Sequence, residues 1–162
     1  MGTSEISESV QYLTFKLDEE VFAIDVAKVR EILEYTAIAK VPQTPEYMRG
    51  VINLRGSVVP VIDLRLKFSL PATERTLNTC IIVVEVQMEE EIIVLGALAD
   101  SVQEVIELEP EKIEPPPHVG TMLNREFIKG MGKQDGHFII ILDIDKVFSS
   151  DELSAIDSGN ME

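Results

Sequence analysis

Few side chains in this sequence are arranged in the patterns that catalyse reactions or hold metal ions, although carboxylates are abundant. Cys80 lies in the apolar run TCIIVVEV, where a buried thiol packs inertly and does not act as a nucleophile. The DID motif at residues 143–145 has carboxylates of the type that Mg²⁺ prefers, but Asp143 matches Asp63 in an internal repeat, which favours a structural cap after a strand. The two histidines belong to no cluster with metal-ligand spacing, and there is no glycine-rich phosphate loop and no G-x-S-x-G motif. The sequence therefore predicts a binding module, with no enzymatic activity, no cofactor and no metal.

Arg55 is the charged residue with the most informative position. The stretch VINLRGSVVPVIDL (51–64) consists of two apolar runs that meet at a tight turn, which predicts a hairpin with Arg55 near its tip. A type I′ turn needs positive φ at both central residues and favours Asn, Asp or Gly. Either Arg55 takes a strained turn position, or the turn centres on Gly56 and Ser57; in neither case does the fold require an arginine. A solvated surface charge is the simpler explanation, but arginine is enriched at binding hot spots, so we predict that Arg55 binds a partner.

Composition and charge limit the class of protein. The chain has 162 residues, enough for one ordinary domain or two very small ones, and a formal charge of −15. This sign disfavours nucleic acid and anionic membrane surfaces as partners. No apolar run approaches the ~18 residues of a membrane-spanning helix, and the N-terminus lacks the basic start and apolar core of a signal peptide. We expect a cytoplasmic protein that binds no nucleic acid and does not insert into the membrane.

Apolar periodicity predicts a mainly β protein. YLTFKL (12–17) alternates as a half-buried strand does, and VFAI (21–24) follows across an acidic turn, which together predict a hairpin. A second hairpin, TCIIVVEV with IIVLGALA, is apolar on both faces and is therefore expected to be central and buried. Helical spacing and capping residues predict three short helices, at residues 26–33 behind Asp25, at residues 43–50 ending at Gly50, and at the C-terminus from Ser149.

The sequence contains an internal repeat. Residues 46–68 align without a gap on residues 126–148, and VREIL (29–33) resembles VQEVI (102–106). Similar segments in the same order indicate a duplicated β unit of about five short strands, a size suited to a small barrel. Two barrels this small should share a buried seam. The predicted divisions are a flexible tail at 1–9, a first barrel at 10–70, a second barrel at 71–148, with the N-terminal strand able to cross between them, and a short helix and tail at 149–162.

The stretch N-L-R-G-x-x-x-P-x-x-D-L at residues 53–64 carries a family resemblance. With FAIDVAKVREIL before it and FIIILDIDKVF after it, the chain resembles the CheW family of chemotaxis coupling proteins over about residues 10–157. The resemblance implies two SH3-like five-stranded β-barrels packed on each other, with short helices at loops and at the C-terminus. It also implies a non-catalytic adaptor that joins the cytoplasmic tips of methyl-accepting chemoreceptors to the regulatory domain of the histidine kinase CheA. Such a protein works in the cytoplasm, is recruited to membrane receptor arrays, and needs no cofactor.

The resemblance also assigns residues to the two partners. The repeat places four apolar residues at the seam or in a groove beside it, and with two charged residues they form the expected receptor site: Val29, Glu31, Ile32, Arg55, Val102 and Val105. The kinase is expected on the first barrel, at Ile38, Val41, Val51, Gly56 and Val58. Gly50 and Gly136 are expected to form structural turns. Val119 replaces an aromatic residue that other members use at a second kinase face, and this departure leaves that contact open.

Two other classes of function stay open. A homo-oligomeric β-barrel scaffold would pair exposed strands between copies, which light scattering at several concentrations would detect. A small-ligand-binding or enzymatic β-barrel protein would need a deep pocket with convergent polar groups and perturbed pKa values. An open, largely aliphatic groove counts against this second class.

Overall fold

The computed structural model describes residues 9–71, 73–115 and 127–147. Within these residues the chain forms ten strands, one short helix and three 3₁₀ turns, so the predicted mainly β fold is confirmed. The strands and the helix are β1 (Val10–Leu17), β2 (Glu20–Asp25), β3 (Val29–Glu34), β4 (Met48–Leu54), β5 (Ser57–Asp63), α1 (Leu64–Lys67), β6 (Cys80–Met88), β7 (Glu91–Ala99), β8 (Ser101–Leu108), β9 (Ile128–Gln134) and β10 (His137–Leu142). The 3₁₀ turns are Val26–Lys28, Pro110–Lys112 and Ile144–Lys146.

The strands form two five-stranded sheets with equivalent strand orders. Sheet A has the order β8-β1-β2-β10-β9, and sheet B has the order β3-β6-β7-β5-β4. Each sheet is antiparallel except for one parallel pair, β2 with β10 in sheet A and β7 with β5 in sheet B. The two orders match strand for strand when β1–β5 are set against β6–β10. The duplication in the sequence is therefore also a duplication of structure.

The two repeats exchange strands. Sheet A combines β1 and β2 of the first repeat with β8, β9 and β10 of the second, and sheet B combines β6 and β7 with β3, β4 and β5. The predicted boundary at residue 70 thus separates the repeats but not the sheets. The reason lies in the pairing of the first hairpin: β1 pairs with β8, with Tyr12 opposite Ile106, and β2 pairs with β10, with Phe22 opposite Ile140.

The central strands are apolar on both faces because each face packs against a different part of the core. In β1, Leu13 and Phe15 face the other sheet, whereas Tyr12 faces the interior of its own sheet. In β6, Ile82 faces the other sheet and Ile81 the interior of sheet B. The buried cluster that both sheets share, here called the seam, is the predicted shared core and includes Leu13, Phe15, Leu17, Phe22, Ile24, Ile82, Val84, Val86 and Leu95.

Four phenylalanine rings form one stacked row within the seam. Ring centres are 6.0 Å apart from Phe15 to Phe22, 5.8 Å from Phe22 to Phe68 and 5.0 Å from Phe68 to Phe127. The first two rings belong to sheet A, and Phe68 follows α1 at the end of β5 in sheet B. Burial of each ring stabilises the fold by about 1.5–3 kcal/mol, and each stacked pair adds about 0.5–1.5 kcal/mol. The row therefore holds the two sheets together.

The helix predicted at residues 26–33 is wrong. Only Val26–Lys28 turns, as one 3₁₀ turn that Asp25 caps by accepting a hydrogen bond from the Ala27 N–H at 2.8 Å. The chain then continues as β3, which pairs with β6 and contains a register shift between Val29 and Glu31. This β-bulge lets residues three apart share a strand face, so a spacing typical of a helix occurs here in a strand.

The helical turn predicted at residues 43–50 is also wrong. The Met48 N–H donates to the Pro45 carbonyl at 2.9 Å, which closes a tight turn, and β4 begins at Met48. Gly50 lies inside β4 with a φ of 147° and does not form the predicted turn. A Cβ at this position would lie 2.2 Å from the Ala39 carbonyl oxygen, because residue 39 bridges to the neighbouring Val51. The glycine therefore permits a close approach of two backbones.

Four predictions fall on other parts of the chain. Gly136, with a φ of 79°, lies in the two-residue turn between β9 and β10. The N-terminal tail at 1–9, apart from Ser9, lies outside the described residues, as do the C-terminal segment at 149–162 and Val119.

Candidate functional site

The tip of the β4–β5 hairpin presents Arg55 to solvent. Leu54 pairs with Ser57, and between them Arg55 and Gly56 have φ values of 51° and 89°. This is the type I′ arrangement, so Arg55 itself takes the left-handed position. Asn53 stabilises the turn, because its Oδ1 accepts a hydrogen bond from the Gly56 N–H at 2.8 Å. A left-handed conformation costs a residue with a Cβ about 1–2 kcal/mol, so the turn alone does not favour arginine.

Glu31 of β3 holds the Arg55 side chain. Nη1 of the arginine donates to Oε1 of the glutamate at 3.4 Å, and Nη2 donates to Oε2, which makes a two-pronged ion pair. The arginine side chain remains 71% exposed and the glutamate side chain 28%. Since β3 and β4 are the two outer strands of sheet B, the pair joins opposite edges of one curled sheet.

The ion pair shifts the pKa of both Glu31 and Arg55. The hydrogen bond from Arg55 lowers the pKa of the Glu31 carboxyl from its ordinary value, and the positive charge of Arg30 adds a smaller effect in the same direction. The hydrogen bond to Glu31 raises the pKa of the Arg55 guanidinium. Both groups are therefore charged at neutral pH.

The four apolar receptor candidates all lie on the seam side of an outer strand. Val29 and Ile32 of β3 stand opposite seam residues of β6, and Val102 and Val105 of β8 stand opposite seam residues of β1. Directly paired side chains share a face of a sheet. Val29 and Val102 are half-buried against the seam, whereas Ile32 is 44% and Val105 50% exposed.

The predicted receptor set is thus divided between the two faces of β3. Glu31 stands opposite Val83, which packs in the interior of sheet B, so the Glu31–Arg55 pair lies on the face away from the seam. The apolar candidates border the seam on two different sheets. Glu31 and Arg55 are in direct contact through the ion pair, and β3 carries charged and apolar candidates on its opposite faces.

Apart from Gly56, which lies in the turn, most kinase candidates pack under the β4–β5 hairpin against the core. Ile38 packs against the interior of sheet B, and Val41 and Val51 pack against the seam. Two hydrogen bonds of 2.9 and 2.8 Å between Ala39 and Val51 lay this segment alongside β4. Val58, which is 61% exposed, offers an open apolar surface.

Sequence reasoning overlooked Phe138, an exposed aromatic residue on β10. It occupies the position in the second repeat that Val58 occupies in the first. The Lys133 ammonium lies 5.7 Å from its ring centre, a cation–π distance. The sequence could have identified Phe138, because the repeat alignment that pairs Asp63 with Asp143 also pairs Val58 with Phe138.

A cleft of about 340 Å³ lies away from these residues. Its lining includes Arg49, which donates to Asp63 at 2.9 Å, and Arg65, which donates to Asp100 at 2.5 Å. Carboxylates thus neutralise two of its arginines, and no predicted partner-binding residue lines it, so the cleft does not favour the small-ligand alternative. In the part of the chain that the structure describes, no three His, Cys, Asp or Glu side chains are grouped to hold a metal ion.

Cys80 is buried at the start of β6, opposite Ala99. Burial raises the pKa of its thiol from the ordinary value, and a backbone hydrogen bond with Val102 opposes this in part. A buried, protonated thiol is a poor nucleophile. The environment of Cys80 therefore suits a packing role in the core.

Comparison with known proteins identifies the family. The CheW-like domain matches residues 11–152. The chain belongs to the CheW-like domain family. Chemotaxis protein CheW of Klebsiella aerogenes is 36% identical over 148 residues, which cover 91% of this chain and 87% of the relative. Chemotaxis protein CheW of Treponema pallidum is 34% identical over 155 residues, which cover 92% of this chain and 88% of the relative.

A solved CheW structure has the same fold. The crystal structure of scaffolding protein TtCheW from Thermoanaerobacter tengcongensis matches with a TM-score of 0.80 and 34% identity, covering 90% of this chain and 91% of that chain. The predicted fold of two packed five-stranded β units is confirmed, and membership of the CheW-like family places the chain among chemotaxis scaffold proteins. No helix in the described ranges has the length and apolar character needed to cross a membrane.

Proposed function

We propose that this protein is a non-catalytic adaptor that couples methyl-accepting chemoreceptors to the histidine kinase CheA, in the cytoplasm and at membrane receptor arrays. The Glu31–Arg55 pair carries the proposal. It fixes a largely exposed guanidinium at a hairpin tip whose backbone conformation favours other residue types. Family membership supplies the chemotaxis context.

The receptor contact is proposed at β3 and extends to β8. The cytoplasmic tip of a receptor is a helical hairpin, and a helix that docks on a surface needs apolar anchors and a few polar contacts. Ile32 and Val105 supply exposed aliphatic surface beside the seam, with Val29 and Val102 behind them. A partner that covers the edge of β3 meets Arg55 as well, whose guanidinium donates to a receptor carboxylate or carbonyl while Glu31 keeps it oriented.

The kinase contact is proposed on the β4–β5 hairpin. Val58 is its exposed anchor, and Gly56 shapes the turn beside it. Ile38, Val41 and Val51 hold the hairpin in position through packing. The CheA regulatory domain would bind here without occupying the seam side of β3.

Each contact is expected to be weak alone. A few aliphatic side chains contribute several kcal/mol on burial, of which association entropy removes a large part, so affinities of about 1–100 μM are expected. An array multiplies such contacts, because tethered partners bind at a high effective concentration. Signal transmission then needs only a change in how receptor, adaptor and kinase are oriented.

Charge reversal at the hairpin tip tests the receptor contact. Arg55→Asp removes the guanidinium and places a carboxylate beside Glu31, so we expect binding to a receptor cytoplasmic fragment to weaken about tenfold or more, as at a binding hot spot. Lys133→Asp, the same reversal near the tip of the equivalent hairpin, is the matched control and should leave receptor binding unchanged. Fluorescence anisotropy gives the affinities and thermal melting confirms the fold. Normal receptor binding by folded Arg55→Asp would remove Arg55 from the site.

The kinase contact has its own variant. Val58→Glu places a charge on the exposed anchor and should weaken binding of the CheA regulatory domain about tenfold while receptor binding is retained. If Val58→Glu weakened binding to both the receptor and the kinase, or to neither, the proposal of two separate contact surfaces would be contradicted.

A further inference from the structure

Two ion pairs link the repeats with opposite charges at equivalent positions. Arg65 donates from Nη1 to Oδ2 of Asp100 at 2.5 Å, and Lys28 donates from Nζ to Oδ2 of Asp145 at 2.7 Å. The gap-free repeat alignment sets position 65 opposite position 145. Lys28 and Asp100 occupy corresponding places in the fold, although the alignment of VREIL with VQEVI sets them one residue apart. Each lies just before an outer strand, β3 or β8, and each pairs with the residue at position 145 or 65. The second pair is therefore the first with its charges reversed.

Each pair crosses from one repeat to the other. Arg65 lies in the first repeat and Asp100 in the second, while Asp145 lies in the second and Lys28 in the first. The members at positions 65 and 145 are also anchored within their own repeats. Nη2 of Arg65 donates to Asp18 at 3.3 Å, and Oδ1 of Asp145 accepts from the Gln87 backbone N–H at 2.7 Å. Their placement is thus determined by the fold, and the arginine side chain is only 10% exposed.

The strand exchange gives these charges a second consequence. Because each sheet draws strands from both repeats, a repeat of one molecule would also be able to combine with the same repeat of another molecule. In such a like-with-like combination Arg65 would face Lys28, and Asp145 would face Asp100. Both encounters set like charges together in sites that are partly shielded from water, which is unfavourable.

We propose that these reversed ion pairs are a pairing code between the repeats. They favour the combination of unlike repeats, so a repeat does not combine with the same repeat of a second copy. The proposal concerns self-assembly and is independent of the adaptor role, because none of the four residues belongs to the proposed receptor or kinase contact.

Three charge-swap variants of the full chain test the code. Lys28→Asp/Asp100→Lys reverses one member of each pair, so unlike repeats repel and like repeats attract. Arg65→Asp/Asp145→Lys reaches the same state through the other members. We expect both double variants, refolded from denaturant, to form a discrete dimer with exchanged repeats. The quadruple variant restores attraction between unlike repeats and should have the mass of the unchanged protein.

Size-exclusion chromatography with light scattering, at refolding concentrations a hundredfold apart, supplies the masses, and circular dichroism reports the fold. Doubling of the mass in both double variants, reversed in the quadruple variant, supports the code. Double variants with the mass of the unchanged protein would overturn it. Loss of fold without a discrete dimer would also overturn it, because the ion pairs would then serve stability alone. A quadruple variant that stays dimeric would show that the charges do not choose the partner.

Discussion

The hairpins β4–β5 and β9–β10 have the same backbone and different charges at their tips. Arg55 and Gly56 have φ values of 51° and 89°, and Asp135 and Gly136 have 53° and 79°. Aspartate tolerates the left-handed position more readily than arginine does. The second hairpin therefore carries the residue that the turn favours, and the first carries one that it does not.

The surroundings of the two hairpins are also copied. Ala39 bridges to Val51 with hydrogen bonds of 2.9 and 2.8 Å, and Glu114 bridges to Met131 with bonds of 2.9 and 2.7 Å. Such agreement in backbone geometry, after the side chains have diverged, shows which features the fold requires.

Charge is the feature that the two copies do not share. Arg55 pairs with Glu31, whereas Asp135 shares its sign with Glu104, the residue that matches Glu31 in the alignment of VREIL with VQEVI. The backbone of Glu104 is fixed by Thr14, whose Oγ1 donates to the Glu104 carbonyl at 2.7 Å. Duplication thus preserved the backbone of the hairpin, while the ion pair at one tip is specific to the first copy, where we propose the receptor contact.

The largest effect is expected where the copied backbone is most crowded. Gly50→Ala would set a Cβ 2.2 Å from the Ala39 carbonyl at a φ of 147°, so we expect a loss of about 3 kcal/mol in the free energy of unfolding. Gly56→Ala is the control, because its Cβ would meet nothing within 4 Å and adds only backbone strain, about 1 kcal/mol. Urea denaturation measures both, and an equal loss in the two variants would refute the role of the close approach.

A smaller effect follows from giving the second hairpin the tip of the first. Asp135→Arg keeps the turn and sets a guanidinium toward Glu104, so a double-mutant cycle with Glu104→Gln should show a coupling of about 0.2–1 kcal/mol. Receptor binding should not change, because Arg55, Glu31 and the four apolar contact residues of β3 and β8 are all retained. Zero coupling would mean that sheet A does not bring its outer strands together as sheet B does.

The smallest effect concerns the pH dependence of the ion pair. The pKa of Glu31 is lowered in the folded protein, so the stability that it contributes is present above the ordinary glutamate pKa and is lost as pH falls through the lowered value. Arg55→Gln should raise the pKa of Glu31 toward its ordinary value. Arg30→Gln should raise it less, because Arg30 acts by charge alone. NMR titration of the Glu31 carboxyl carbon measures both, and an equal rise would assign the shift to charge without the hydrogen bond.

The local structure of most strands followed from the sequence, β3 being the main exception, but the division into sheets did not. The doubly apolar run TCIIVVEV identified β6 as a central strand, and the repeat revealed the duplication. Alternation over YLTFKL identified β1 as a strand but predicted it to be half-buried, whereas both of its faces are buried. A repeat does not say whether each copy closes on itself or exchanges strands, because both arrangements bury the same residues. The exchange depends on long-range pairing such as that of Phe22 with Ile140.

The candidate site could be proposed from the sequence as a set of residues, but its geometry could not be predicted. Position and residue type singled out Arg55, while its pairing with Glu31 depends on how sheet B curls. The bulge between Val29 and Glu31 gives the apolar residues of β3 a spacing typical of a helix, so the strand was predicted as helical. The same bulge places Val29 and Ile32 on one face of the strand. A register shift depends on the partner strand, so the chain segment alone does not encode it.

The exchange of strands sets the order in which the molecule can be completed during synthesis. The strands of sheet B lie in one stretch, from residue 29 to residue 99, and can assemble as they leave the ribosome. The hairpin at residues 10–25 emerges earlier, but its partners in sheet A lie at residues 101–108 and 137–142. The first hairpin of the fold is therefore among the last strands to gain its neighbours, and until then its apolar faces are open to aggregation with other nascent chains.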